Sequence, residues 1–376
     1  MKARPTSLIS GVLMVLCFSI LSVGCGTSGK ERPDWVDSPA AQYPASEFLH
    51  GRGDAETVEL AQERARADLA KIFEVSISVE ASDMQRAQSG AAGARSEAGA
   101  GSGNGKTSKN PDVVRYEARS EQRIVTRTDK VVSGLRIAEL WRAPSTDKTG
   151  GGRQYALAVL PRLQAGMALR QEIAERDDAI NRQVQRARST LDALDRAGFA
   201  RRAVDLARER AGFDKSLRVV DLGGRGVDTP LALARLNTDL DEQLKRVVLV
   251  PTLKSSGLFD DASLLPLLKG AIAESGFLAA QGDASGSVSA SDGGATAYSI
   301  SVNVRMNEQF QEGWHWLRGN IEVTLTDASG RVRGNKFWPI KASAQEQKAV
   351  RARGLLEIER LLKQEMRAAI LDFSAS

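Results

Sequence analysis

The chain has 376 residues, with 52 Lys and Arg against 47 Asp and Glu, a 42% hydrophobic content, 2 His and 2 Cys. That length suggests two domains, and the hydrophobic fraction excludes a wholly disordered protein. Both cysteines fall in the first 25 residues, which argues against a cysteine-based metal centre, a disulfide framework or a Cys-His enzyme.

Residues 1–24 carry Lys2 and Arg4, then an apolar run from Leu8 to Val23, then Gly24 before Cys25. A positive start, an apolar middle and a small-residue end form a secretory signal architecture. With its cysteine at the cleavage point, the segment resembles a bacterial lipoprotein signal, which implies that Cys25 is acylated and becomes the first residue of the mature chain. Ser22 stands three positions before the cysteine, with Leu21 one step earlier. An uncleaved anchor and an unlipidated signal peptide are the alternatives. The apolar run is 16 residues long, short of the roughly 20 a spanning helix needs. Gly26 follows the cysteine, and the sorting rule for such proteins then implies the outer membrane, periplasmic side. Loss of the signal leaves 50 Lys and Arg against 47 Asp and Glu, a surplus too small to make nucleic acid the main partner.

Residues 25–32 read as a tether. In the block 33–162, 48–55 fits a short strand ending in a Gly turn at Gly51-Arg52-Gly53. A helix follows, with Val58, Ala61, Ala65, Leu69 and Ile72 on one face and Asp54 as its N-cap. Alternation predicts strands over 75–81, 113–128, 131–141 and 154–160, with a Gly/Ala/Ser-rich insertion at 85–112. One helix and a run of strands read as α+β with a mostly antiparallel sheet.

Residues 163–243 form a helical connector. Leu163, Met167, Ile173, Ile180, Val184, Leu191 and Leu194 are spaced for one apolar face, and Gly198-Phe199 break the helix. Arg interleaved with Asp and Glu over 182–210 reads as a solvated, salt-bridged face. A second α+β block occupies 244–376. It begins with a strand at 247–251 and a helix over 264–274, followed by a strand at 277–280 and a second Gly/Ser tract at 282–294. Tyr298, Ile300, Val302 and Val304 alternate as a strand does, as do Ile321, Val323 and Leu325, and a hairpin turn follows at 327–330. A last helix covers 345–371 with Leu355, Ile358, Leu362, Met366 and Ile370 on one face.

Pro33-Asp34-Trp35-Val36, the stretch His50-Gly51-Arg52-Gly53-Asp54-Ala55, the Ala/Arg-rich helix and QYALAVLPR together resemble the LPP-twenty family of bacterial envelope lipoproteins. The resemblance covers Pro33 to Leu163. It implies lipid anchoring and assembly work at the outer membrane, with no cofactor and no catalytic group. In the second block, Val247 to Pro251 and Ser275-Gly276-Phe277 resemble the pattern of curli-secretion and penicillin-binding-protein-activator lipoproteins.

His50 and His315 have no recognisable catalytic partner in the sequence, and general acid–base work needs one. Gly223-Gly224-Arg225-Gly226 lacks the spacing of a phosphate loop and reads as a turn. Trp314, Trp316 and Trp338 cluster with Phe337. The core of a sheet is the favoured reading for them, and they are also candidates for a partner-binding surface. The expectation is a non-enzymatic lipoprotein whose partners are the membrane, through its lipid, and other envelope proteins or itself. The alternative is a periplasmic regulator that binds a cell-wall enzyme or glycan through the second domain.

Overall fold

The computed structural model describes residues 31–73, 134–144, 152–280 and 295–374. The signal peptide, Cys25, the strands expected at 75–81 and 113–128, and both Gly-rich tracts lie outside the described residues.

The N-terminal block is a three-stranded antiparallel sheet in the order β1 (Phe48–Ala55), β3 (Gln154–Pro161), β2 (Arg136–Arg142). β3 is central, and both of its faces are buried. Ala156, Ala158 and Leu160 pack towards helix α1 (58–73), while Leu157 and Val159 pack against Trp35 and Trp141. Trp35 sits in a 3-10 turn, Asp34–Val36, that lays the entering chain across the second face. α+β is the observed class.

Two expectations in this block are corrected. Gly51 and Gly53 lie within β1, not in a turn. They alternate with Leu49 and Ala55 on the face against α1, and a Cβ on either would overlap backbone atoms of that helix. Glycine is needed here for close strand–helix approach. The N-cap of α1 is Thr57, whose Oγ1 accepts the Leu60 amide at 3.3 Å, because Asp54 is still in the strand and pairs with Arg153.

Helices α2 (Arg162–Ser189) and α3 (Ala193–Val220) form an antiparallel hairpin. The chain breaks at 190–192, where Asp192 caps α3 by accepting the Asp195 amide at 2.9 Å. Gly198 and Phe199 are therefore inside α3, which runs unbroken to Val220. The apolar face is also redrawn: Leu163, Met167 and Leu191 are exposed, whereas Ala165, Leu169, Ile173 and Ile180 are buried. Buried small residues, Ala165 and Gly166 on α2 and Ala200, Ala203 and Ala207 on α3, let the helices approach closely, a signal that a search for large apolar side chains passes over. One end of the hairpin packs under the N-terminal sheet through Leu169, Ile173, Phe213 and Leu217. The other joins the C-terminal core through Ile180, Leu194, Ala197 and Val204.

Arg210 departs from the solvated-face reading. It is buried, and it pairs with Asp177 at 3.1 Å and donates to the carbonyls of Val227 and Asp228. It thereby ties the loop after α3 to the hairpin. Helix α4 (Leu233–Leu244), which periodicity did not single out, buries Leu236, Leu240 and Leu244.

The C-terminal block is a five-stranded mixed sheet in the order β5 (Leu278–Ala279), β4 (Val247–Ser256), β6 (Thr296–Gln311), β7 (Trp314–Asp327), β8 (Val332–Ala344). β4 pairs in parallel with β5 and β6, and the β6–β7–β8 meander is antiparallel. Helix α5 (Asp261–Glu274) connects β4 to β5 and ends at Gly276, whose φ of 83° is the left-handed helix stop that glycine favours. The last helix, α6 (Gln347–Asp372), buries Ile358, Leu362, Met366 and Ile370 against the sheet. The opposite face of the sheet carries no second layer among the described residues.

Candidate functional site

Alternation along β7 and β8 decides where the aromatic residues point. On β7, Leu317, Ile321, Val323 and Leu325 are fully buried, so Trp314, Trp316 and Arg318 lie on the outward face. Trp314 and Trp316 are 40% and 37% exposed. On β8 the phase places Trp338 and Ile340 in the core, and Phe337 and Lys341 outside. Trp338 is only 6% exposed, so it does not belong with the accessible pair. Its register partner is the buried Ile321, which fixes the face it takes.

The outward face is polar and cationic around these rings. Arg318 stands directly opposite Lys341 across the β7–β8 ladder, and Trp316 stands opposite Ser343. The Arg318 guanidinium lies 5.7 Å from the Trp316 ring centroid, a cation–π placement. At the β8 edge Arg353 of α6 donates to the Ser343 carbonyl. Trp316, Arg318, Lys341, Ser343, Arg353 and the acidic Glu357 line a shallow recess of about 390 Å³. Glu357 is engaged by Arg360. Pro339 interrupts the donors of β8, and lysines 336 and 341 flank it. Proline and lysine on an edge strand oppose addition of a further strand, so this surface offers side chains rather than a free backbone edge.

A second recess, of about 430 Å³, lies at the far end of the core face and includes Glu308, Phe310, His315, Gln347 and Arg351. His315 Nδ1 is 3.0 Å from Glu308 Oε1, and Arg351 pairs with the other carboxylate oxygen at 3.0 Å. Burial pushes the Glu308 carboxyl up, but hydrogen bonds from Arg351, Gln347 and His315 outweigh it and hold the group below the ordinary value. His315 thus has a partner that the sequence did not reveal, seven positions away across the β6–β7 hairpin. The residues lining this recess include no hydroxyl or thiol.

His50, on β1, has Nε2 2.6 Å from the Tyr43 carbonyl oxygen. Burial is the main cause of its lowered pKa. The Tyr43 hydrogen bond opposes that shift, and Arg52 and Arg162 add to it. A neutral ring donating to Tyr43 fits both observations. Nothing brings His50 and His315 together, since each lies in a different sheet. Among the described residues no group of three or more His, Cys, Asp and Glu is placed to hold a metal ion, and no helix is long and apolar enough to cross a membrane.

Residues 33–161 match the model of the LPP20 lipoprotein family. The resemblance read from the sequence holds over this stretch, about a third of the chain, which ends with β3. No curated protein matches the chain. Among solved structures, the secreted protein HP1454 from Helicobacter pylori is 11% identical, with a TM-score of 0.40, over 85% of this chain and 97% of its own. The lipoprotein GNA1162 from Neisseria meningitidis is 12% identical, with a TM-score of 0.20, over 31% of this chain and 96% of its own. Neither likeness is close enough to fix the fold.

Proposed function

We propose that the protein is a lipid-anchored component of the bacterial outer membrane, on its periplasmic side, that assembles with other envelope proteins rather than performing chemistry. The observation that carries this reading is the match of residues 33–161 to a lipoprotein family, directly downstream of a signal-like segment that ends at Cys25. Acylation at Cys25 supplies the anchor, and two or more acyl chains hold where one would exchange. Anchoring the chain in the same leaflet as its partners raises their effective concentration, so a modest interface suffices. The hairpin of α2 and α3, with one end in each core, suits a spacer that keeps two binding blocks in fixed relation. The commitment of Glu308 to both His315 and Arg351, in a recess lined by no hydroxyl or thiol, supports a structural role for that cluster.

The test is the intact mass and membrane partition of the native protein beside Cys25→Ser. Loss of residues 1–24 with added lipid, together with an unprocessed variant that carries no lipid, is expected. A mature chain without lipid would overturn the anchor and with it the tethering mechanism. Crosslinking in intact cells that captures no envelope protein and no second copy would overturn the assembly role.

A second reading, a regulator that touches the cell wall or a cell-wall enzyme through the C-terminal block, is favoured by one observation. Trp314 and Trp316 are presented on an uncovered sheet face and are not buried in a core.

A further inference from the structure

Arg318 and Lys341 are nearest cross-strand neighbours on the same face. Side chains directly opposite in an antiparallel pair have Cβ atoms about 5 Å apart, and like charges placed there destabilise the sheet. Neither residue has a carboxylate partner among the described residues, and Glu357, the one acid lining the recess, pairs with Arg360 on its own helix. Arg353 of α6 adds a third cation to the lining. A sheet that only needed to be soluble would interleave acids with these bases. The excess of positive charge is concentrated beside a half-exposed tryptophan ring, at a place where β8 resists pairing with another strand.

We propose that this recess binds an acidic glycan, with the Trp316 ring stacking on a sugar face and Arg318, Lys341 and Arg353 taking carboxylate or phosphate groups along the chain. The ligand supplies the counter-charge that the fold leaves out. A sugar ring presents an apolar C–H face to an aromatic plane, which an acidic peptide does not offer in a regular repeat. The rest of the face extends the same chemistry. Asn307 lies opposite Arg318 on β6, and Asn320 lies opposite Pro339 on β8, so amides border the cations and can bond sugar hydroxyls. The recess is shallow and open at the sheet edge, which suits a polymer passing across it rather than an enclosed small molecule. This inference deepens the second reading above. It does not depend on acylation, so a negative result here and a negative result in the Cys25 mass experiment are separable.

The experiment uses the full-length protein in neutral detergent, with polygalacturonate as the acidic glycan, dextran as the neutral one and polyglutamate as the acidic peptide. Polygalacturonate is expected to bind, more weakly as salt rises, and at least about tenfold more tightly than dextran. Trp316→Ala and the pair Arg318→Gln with Lys341→Gln are each expected to lose about tenfold in affinity. The double variant should melt at or above the parent temperature, because it relieves a like-charge pair. If that variant fails to fold, Arg353→Gln, at the exposed start of α6, replaces it. No binding of polygalacturonate overturns the proposal. So does equal binding of dextran, which would leave only a stacking surface. Polyglutamate binding as tightly, with no loss in Trp316→Ala, also overturns it and makes the recess a docking face for acidic proteins.

Discussion

The hydroxyl of Tyr298 accepts the backbone amide of Leu194 at 3.1 Å, across 104 residues of chain. Leu194 lies in the first turn of α3, where an amide has no partner within the helix. Tyr298 is buried at the start of β6. The contact fastens the helical hairpin to the C-terminal sheet. Arg333 of β8 reinforces it by pairing with Asp192 at 3.1 Å and also with Asp195, the residues that cap and open α3. Burial pushes the Tyr298 phenol far up, against the Leu194 hydrogen bond, and the interaction with Asp192 adds to the rise. The group therefore stays a neutral donor and acceptor wherever the protein is folded.

Tyr298→Phe keeps the ring and removes the acceptor, leaving the Leu194 amide unsatisfied in a buried setting. A loss of about 1–3 kcal/mol is expected, read as a lower urea midpoint with an unchanged slope. An unchanged midpoint would mean that water takes the place of the hydroxyl and that the contact does not fasten the hairpin.

Arg333 should matter more, because its side chain is 8% exposed and serves two carboxylates. Arg333→Met removes the cation that Asp192 and Asp195 share. A loss of about 3 kcal/mol is expected, the low end for breaking a buried pair because both aspartates keep some contact with water. In the Tyr298→Phe background the further loss should be smaller, since the groups share Asp192. Strict additivity would show that they act separately.

Glycines supply a paired prediction of opposite sign. Gly53→Ala would force a methyl into the backbone of α1 at Ala61 and Ala65, with an expected cost of about 1–3 kcal/mol from overpacking. Gly270 is inside α5, and a Cβ there meets nothing within 4 Å. Gly270→Ala should therefore stabilise the protein by roughly 0.5–1 kcal/mol, through helix propensity alone. Melting temperatures of the two variants should fall on opposite sides of the parent.

Those glycines also show where the sequence was legible and where it was not. The periodicities of 58–73, β3 and α6 were readable because large apolar residues recur at the spacing of their element, and the structure buries Leu69, Leu160, Leu362 and Met366 as that spacing demands. Gly51 and Gly53 misread as a turn, because a glycine is locally permissive in either setting and only the opposing helix decides between them. Leu191 fits the helical period yet is 93% exposed, since Asp192 ends one helix and starts another just beyond it. For the tryptophans, spacing of i and i+2 correctly gives one shared face for Trp314 and Trp316. Which face is covered depends on the placement of α5 and α6, and that is tertiary information. The Arg318–Lys341 opposition follows from strand register alone, which a single sequence does not specify.

His50 supplies the last prediction, because its lowered pKa couples folding to pH. Burial favours the neutral ring in the folded state, so the unfolded chain binds the proton more readily. Stability is then fully present above the ordinary histidine value of 6.5 and is lost as pH falls through the depressed folded value. His50→Gln keeps a donor for the Tyr43 carbonyl and removes the titration. Between pH 8 and pH 5 the urea midpoint of the parent should fall more steeply than that of the variant, with the two curves closest at pH 8, where both side chains are neutral donors. Glu308 adds a slope of the same sign lower down, since its folded value is also depressed, so the comparison is made above the carboxylate range. Parallel curves for parent and His50→Gln across that window would show that the ring is not held neutral by the fold.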